Sequence, residues 1–221
     1  TLFEPDYEAV AALAPDLIII GGRSSTKHQE LSRIAPTIDL TVAATDTMAG
    51  VTRNVEQPGR IFAKEREAAD QLAALHRSIE ALRATAATAG DGLLVLTTGT
   101  KMSAYGPGSR FGILHGVFGV RPAVTGLDAS VHGQPISAEF ILRADPDWLF
   151  VSDRDAAIGT GAIGTGAARA MLDNELVART AAWRQGKVVY LDPPSWYLVG
   201  GGLGAVRTMV DQLARAFAQH G

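Results

Sequence analysis

The sequence predicts an α/β protein in which one long helix separates two segments built around parallel sheets. Three observations support this fold class. Helix and strand patterns alternate along the chain, as they do in parallel sheets covered by helices. Residues 64–89 contain no Gly or Pro and could form a helix about 39 Å long. A unit of helix, buried strand and Arg occurs twice, once on each side of that stretch.

The first segment, residues 1–62, begins with a helix and two strands. Asp6 can cap a helix over residues 7–13. PDLIII (15–20) is short, apolar and β-branched, which is typical of a strand buried on both faces. A short helix in SSTKHQELSRIAP (24–36) then leads to TIDL (37–40) as a second strand.

The long helix is predicted within residues 63–90. Leu72, Leu75, Ile79 and Leu82 recur at spacings of three and four and mark one apolar face. Gly90 is expected to end the helix.

The second segment, residues 91–221, has the larger set of elements. GLLVLTT (92–98), the end of SAEFILRADPDWLFVSDR (137–154) and KVVYLDP (187–193) predict strands, and GPGSRFGILHGVFG (106–119) predicts a glycine-rich loop entering a helix. The closing helix has an apolar face made of Val206, Met209, Val210, Leu213 and Phe217.

Composition excludes several function classes. Zero cysteines exclude disulfides, thiolate zinc sites, iron-sulfur clusters and thiol catalysis. A net charge of -3 gives no general attraction to nucleic acid, so an anion site must be local. No apolar run approaches the ~18 residues of a membrane span.

The repeated unit places two arginines at equivalent positions. PDLIIIGGR (15–23) ends in Arg23 and PDWLFVSDR (146–154) ends in Arg154, while Glu8 and Glu139 each precede the Pro by seven residues. Ligands bind at the carboxyl ends of parallel strands, so both arginines are expected at the rim of one crevice. Either alone could be an ordinary surface arginine, but the repeat favours a shared anionic ligand.

Further candidates lie in two glycine-rich stretches and a loop. MSAYGPGSRFG (102–112) places Arg110 at an expected helix start, where backbone N–H groups and the guanidinium could hold an anion. His132 in DASVHGQPISAEF is either a solvated loop residue or a ligand. In LDPPSWYLVGGGLG, Trp196 and Tyr197 either line a pocket or pack at the lobe junction.

One glycine motif argues against a dinucleotide site. AIGTGAIGTG (157–166) spaces Gly159, Gly161 and Gly164 as a dinucleotide-binding turn does, but the glycines come too far after the strand. A loop lengthened by duplication explains them better. A nucleotide-dependent α/β enzyme therefore remains only an alternative.

Four stretches together resemble the substrate-binding proteins of ABC importers for ferric siderophores, in the catecholate-binding branch of the class III periplasmic binding proteins. They are FEPDYEAVAALAPDLIIIGGR, KMSAYGPGSRFG, HGQPISAEFILRADPDWLFVSDR and VVYLDPPSWYLVGGG. The resemblance implies two Rossmann-like lobes joined by the long helix, with the ligand in the cleft between them. It implies a cleft lined by Arg23, Arg110 and Arg154, and we expect Tyr105 and Trp196 to contribute to the same lining.

The resemblance also implies two iron ligands. Iron(III) takes six ligands, and a bis-catecholate supplies four oxygens, so an imidazole from His132 and a phenolate from Tyr197 would complete the coordination. A hexadentate siderophore would leave both side chains off the metal while the arginines still bound it.

The implied partners are a ferric siderophore and an ABC permease dimer, which Glu8 and Glu139 would contact. We expect a monomeric binding protein, not an enzyme, with no nucleic-acid partner and no cofactor of its own besides the transported iron complex. It would be exported and periplasmic or anchored as an envelope lipoprotein, with no signal segment in this chain. The resemblance further implies an incomplete first lobe, because the chain starts in mid-domain. A cobalamin or haem importer's binding protein is the alternative within the same fold.

Overall fold

The computed structural model describes residues 4–43, 46–130, 132–159 and 166–220. The helices are α1 Tyr7–Ala12, α2 His28–Leu31, α3 Thr47–Ile61, α4 Glu65–Ala89, α5 Ile113–Gly116, α6 Ala138–Ala144, α7 Arg154–Ala157, α8 Ala167–Leu172, α9 Ala181–Arg184 and α10 Leu203–His220. The strands are β1 Ile18–Ile20, β2 Thr37–Asp39, β3 Asp91–Thr98, β4 Lys101–Tyr105, β5 Arg121–Pro122, β6 Gln134–Ile136, β7 Trp148–Asp153 and β8 Val188–Tyr190. The predicted α/β class is confirmed.

The strands form two sheets, one on each side of α4 in the sequence. β1 and β2 pair in parallel, with Ile18 opposite Thr37. The second sheet has the order β6-β4-β3-β7-β8, and β5 pairs with the start of β3. β3, β7 and β8 run parallel, whereas β4 and β6 run antiparallel to their neighbours. The sheet is therefore mixed rather than wholly parallel.

The antiparallel pair β3–β4 was not predicted. Its two-residue turn is Gly99-Thr100, closed by the pair Thr98 and Lys101, and Gly99 has the positive φ of 54° that such a tight turn requires. β4 has only five residues, which is too short for its alternation of polar and apolar residues to predict a strand, and its pairing with β3 runs from Thr98–Lys101 to Leu94–Tyr105.

The long helix α4 agrees with its prediction. It spans Glu65–Ala89, and Leu72, Leu75, Ile79 and Leu82 are all buried. Gly90 ends it with a φ of 107°, and β3 begins at the next residue.

Helix α3, which precedes α4, was missed by the sequence analysis because it contains Gly50, Pro58 and Gly59. Both glycines lie at close approaches of the backbone to a neighbour. A Cβ at Gly50 would lie 2.8 Å from the Val42 side chain, and one at Gly59 would lie 2.9 Å from the Cβ of Ala68. Tertiary packing thus compensates for residues that lower helix propensity.

The core of the second segment lies on both faces of its sheet. α4 and α10 pack on one face, where the predicted apolar residues of α10 are buried: Val206, Met209, Val210, Leu213 and Phe217. α6, α8 and α9 pack on the other face through Ile141, Leu172 and Ala182. Every residue of β7 is buried, as predicted for a strand covered on both sides.

β1 does not meet the same expectation. Its Ile20 is buried, but Ile19 is 53% exposed, so the prediction of burial on both faces is wrong for this strand. In the described part of the chain, β1 pairs with β2 alone, and one face of this small sheet is open.

The repeated unit is also a structural repeat. α1 leads to β1 and α6 leads to β7, and in each case a left-handed residue stands directly before the Pro. These residues are Ala14, with a φ of 44°, and Asp145, with a φ of 39°. The same local geometry reverses the chain between helix and strand in both copies.

Candidate functional site

Tyr197 is the centre of the candidate site. It lies in a single wide helical turn, Pro194–Leu198, which follows β8. The carboxylate of Asp192 accepts a hydrogen bond from the Ser195 backbone N–H at 3.0 Å and so fixes the start of this turn. Tyr197 is 8% exposed and is therefore almost fully buried.

Two of the predicted arginines contact Tyr197 from different parts of the second sheet. The Arg110 guanidinium lies over the phenol ring, 4.1 Å from the ring centroid, and donates to the Tyr197 backbone carbonyl. Arg154 Nε donates to the Tyr197 hydroxyl at 3.0 Å. Two of the arginines that the sequence analysis expected in one ligand site therefore contact Tyr197, and the ligand site itself stays a prediction.

Arg154 stands at the carboxyl end of β7, as the first residue of α7. Its Nη1 lies 3.9 Å from the Asp155 carboxylate. That carboxylate also accepts the Gly99 backbone N–H at 2.8 Å, which joins α7 to the turn after β3. Arg154 is thus attached to two neighbouring strands at the edge where ligands bind in parallel sheets.

Arg110 differs from its prediction in one respect. It lies in a turn and not at a helix start, because α5 begins only at Ile113 and has four residues. Ser109 Oγ donates to the Gly106 carbonyl at 2.6 Å, and the Gly112 N–H donates to the Ser109 carbonyl at 2.9 Å. The side chain of Arg110, rather than a helix terminus, supplies the positive charge here.

Tyr105 lies beneath this group and is 2% exposed. Its ring meets Phe111 edge to face, with the centroids 4.8 Å apart. Burial raises the pKa of Tyr105, and the nearby Arg110 charge opposes this rise. Tyr105 is therefore a buried, neutral phenol that supports the site from below.

His132 is exposed and lies in a turn that rests on Tyr105. The next residue, Gly133, is buried with a φ of 68°, and a Cβ there would lie 2.7 Å from the Tyr105 ring. The Gly133 N–H donates to the Ser130 carbonyl at 3.1 Å, which closes the turn. Tyr105 thus lies between the His132 turn and the charge of Arg110. The sequence analysis did not identify Gly133 as the residue that lets this turn approach the Tyr105 ring.

Trp196 takes the packing role that the sequence analysis left open. Its indole is 4% exposed and donates from Nε1 to Gln212 of α10 at 3.1 Å. It also meets Phe118 edge to face. We therefore do not retain Trp196 as a ligand contact.

Arg23 stands at the end of β1, on the first sheet. It is exposed and lies in a tight helical turn, Gly22–Lys27. The Gly22 N–H before it donates to the Thr41 hydroxyl at 2.8 Å, which fixes this turn to the segment after β2. Arg23 is therefore at the carboxyl edge of the first sheet, as predicted.

Glu8 and Glu139 are both exposed and occupy the second position of α1 and α6. A hydrogen bond from Ser137 lowers the pKa of Glu139. Both carboxylates are thus on the surface at equivalent places in the structural repeat.

The described residues lack two features, a membrane-spanning helix and a cluster of metal ligands. Within the ranges given above, no helix is both long and apolar enough to span a membrane. The same ranges hold no group of three His, Asp or Glu side chains that could bind a metal ion. Of the glycine motif, Gly161 and Gly164 lie outside the described residues.

Comparison with known proteins gives a consistent set of relatives. The model of a family described as periplasmic binding protein matches residues 3–195. The petrobactin-binding protein YclQ of Bacillus subtilis is 42% identical over 96% of this chain, and the ferric-anguibactin-binding protein FatB of Vibrio anguillarum is 31% identical over 98%. The chain spans 66% of the length of YclQ and 68% of FatB.

Solved structures of relatives match the fold closely. The crystal structure of YclQ superposes with a TM-score of 0.92 at 41% identity, over 98% of this chain and 75% of YclQ. The periplasmic catecholate-siderophore binding protein VctP of Vibrio cholerae superposes with a TM-score of 0.89 at 31% identity, over 97% of this chain and 77% of VctP.

Proposed function

Because this chain belongs to the periplasmic binding protein family, we propose that it is the substrate-binding component of an ABC importer and that its cargo is an anionic ferric catecholate siderophore. It binds and delivers the complex and catalyses no reaction. Relatives whose names refer to petrobactin, ferric anguibactin and a catecholate siderophore support this proposal.

The proposal rests on the contacts of two arginines, Arg110 and Arg154, with Tyr197. Two guanidiniums that contact one tyrosine, Arg154 at its hydroxyl and Arg110 at its ring and backbone carbonyl, provide positive charge and several N–H donors for the oxygens of a catecholate. Each catecholate carries two negative charges against the three positive charges of iron(III), so the ferric complex is an anion. Arg23 supplies a third guanidinium from the first lobe.

Tyr197 and His132 fit the two places that a tetradentate siderophore leaves on iron. A tyrosine loses its proton at neutral pH only beside a strong Lewis acid such as iron(III). Arg154 Nε already donates to the Tyr197 oxygen, and this hydrogen bond becomes stronger when the oxygen carries a negative charge. Arg154 therefore stabilises the phenolate that coordination requires.

We assign residues 1–62 to the first lobe, residues 63–90 to the connecting helix and residues 91–221 to the second lobe. Glu8 on the first lobe and Glu139 on the second present carboxylates to a permease dimer. The protein acts as a monomer outside the cytoplasmic membrane, in a periplasm or as an envelope lipoprotein.

Fluorescence titration tests the proposal directly, because Trp196 is adjacent to Tyr197. We expect the iron(III) complex of a linear bis(2,3-dihydroxybenzamide) to quench tryptophan fluorescence at sub-micromolar concentration. Arg110→Gln should weaken this binding by about tenfold or more, since a charge-assisted contact is lost. NAD and cyanocobalamin should produce no quenching. Binding of either one with no response to the ferric complex would contradict the proposal and favour one of the alternatives.

A further inference from the structure

We propose that Arg53 is a fourth guanidinium of the ligand site and that it selects for ligand charge from the first lobe. This inference rests on the proposed function and deepens it. Arg53 lies in α3, a helix that the sequence pattern did not predict, so only the three-dimensional contacts identify it.

Arg53 reaches the same edge of the first sheet as Arg23. Its Nη2 donates to the Thr41 carbonyl at 2.7 Å, two residues beyond the end of β2. The hydroxyl of the same Thr41 accepts the Gly22 N–H, in the residue before Arg23. Thr41 therefore binds the Arg53 side chain and the backbone of the residue before Arg23, so both arginines lie near the carboxyl ends of β1 and β2, where ligands bind in such sheets.

This edge meets the second lobe near Tyr197. The residue after Thr41 is Val42, and its side chain packs against the backbone of Gly201, where a Cβ would lie only 2.5 Å from Val42 Cγ2. Gly201 follows Tyr197 by four residues. The segment to which Arg53 is hydrogen-bonded, Thr41-Val42, is thus in contact with the segment that follows the proposed iron ligand.

The charge of Arg53 is not neutralised by the protein. In the described ranges, no carboxylate lies within ion-pair distance of it, and its recorded hydrogen bond is to an uncharged carbonyl. Arg60, about two turns further along α3, instead lies 3.8 Å from Glu56. Arg53 therefore adds a net positive charge at the edge of the cleft, whereas Arg60 does not.

A charge that acts through space, without coordinating iron, distinguishes ligands by their total charge. A ferric tris-catecholate carries a larger negative charge than a ferric bis-catecholate, so it gains more from Arg53. Tyr197 and His132 instead favour the bis-catecholate, because only the tetradentate complex leaves two coordination positions on iron open. The two groups of residues thus set the preference between the two ligand types in opposite directions.

Paired charge-removing variants on one helix test this inference. Arg53→Gln keeps a donor for the Thr41 carbonyl and loses the charge, Arg53→Lys keeps the charge, and Arg60→Gln removes the same charge from a remote site. Each variant is titrated by tryptophan quenching with the ferric complexes of a bis- and a tris-catecholamide, at about 20 mM and about 500 mM NaCl, where the screening length differs several-fold.

At low salt, Arg53→Gln should weaken tris-catecholate binding by about tenfold and bis-catecholate binding by about threefold, with both losses reduced at high salt. Arg53→Lys and Arg60→Gln should each stay within about twofold of the unmodified protein. If Arg53→Gln and Arg60→Gln bind the tris-catecholate with equal affinity while Arg110→Gln binds it more weakly, the inference is overturned and the proposed function is not. No binding of either complex by the unmodified protein would overturn the proposed function, and this inference with it.

Discussion

Tyr197 makes three contacts with arginine that differ in kind. Arg110 stacks on its ring and bonds its carbonyl, and Arg154 bonds its hydroxyl. A cation over an aromatic ring contributes about 0.5–2 kcal/mol, depending on how far water is excluded. The same guanidiniums that would attract an anion therefore also fix the orientation of the phenol, so the proposed anion binding and the proposed iron coordination would depend on shared residues.

Gly133 is the residue whose replacement best isolates the position of His132. Gly133→Ala introduces a Cβ against the Tyr105 ring at a φ of 68° and should displace the His132 turn. We expect a loss of about 2–3 kcal/mol in the free energy of unfolding. Affinity for a tetradentate ferric complex should fall more than affinity for a hexadentate one. Thermal unfolding and fluorescence titration measure the two effects.

Gly126 provides the matched control for that substitution. It has a φ of 76°, but no atom lies within 4 Å of a Cβ built there. Gly126→Ala should lower the free energy of unfolding by only about 1–2 kcal/mol, the cost of a left-handed backbone with a Cβ. The ratio of the two affinities should not change. If both variants behave alike, Tyr105 does not position the His132 turn.

At the scale of elements, the repeated unit explains why one sequence motif supplies both an arginine after the strand and an exposed glutamate on the helix. In each copy the helix carries Glu at its second position, and a left-handed residue and Pro then reverse the chain into the strand. The Arg follows the strand at its opposite end. In sequence, each unit thus begins with an exposed carboxylate and ends with a guanidinium.

Charge reversal at the two glutamates should affect delivery and not capture. Glu8→Lys and Glu139→Lys, alone or together, should reduce siderophore-dependent iron uptake by cells that contain the permease, because each removes a carboxylate proposed to contact one permease subunit. Affinity for the ferric bis-catecholate should stay within about twofold, since both carboxylates are exposed and solvent screens their charge. Glu67→Lys, at an exposed position in the first turn of α4, is the control. Equal uptake by the double variant and by Glu67→Lys would refute the docking role.

Elements with a strong intrinsic pattern were predicted correctly from the sequence, and elements defined by tertiary contacts were not. α4 and α10 have regular apolar faces, and β7 is continuously apolar, so each was found close to its observed bounds. α3 contains glycines that pack against Val42 and Ala68, and β4 is held by its hairpin partner. Neither kind of contact can be inferred from local composition.

At the scale of the whole molecule, the candidate site was likewise predicted where local sequence patterns indicated it and missed where tertiary contacts decide it. Glycine-rich loops, strand ends and the repeat indicated Arg110, Arg154 and Tyr197, which lie together. The sequence could not show that Trp196 faces α10, because a buried and a ligand-facing indole have the same local pattern. Nor could it identify Arg53, whose position depends on how α3 packs against the segment after β2.

The most direct test of the account is the visible absorption spectrum of the protein bound to a ferric bis-catecholate, compared with that of Tyr197→Phe. The unmodified protein should show a phenolate-to-iron absorption that the variant lacks, and the variant should bind about tenfold more weakly, equivalent to ~1.4 kcal/mol. Binding of a ferric tris-catecholate should hardly change. An identical spectrum for the two proteins, or an equal loss of affinity for both ligands, would contradict iron coordination by Tyr197.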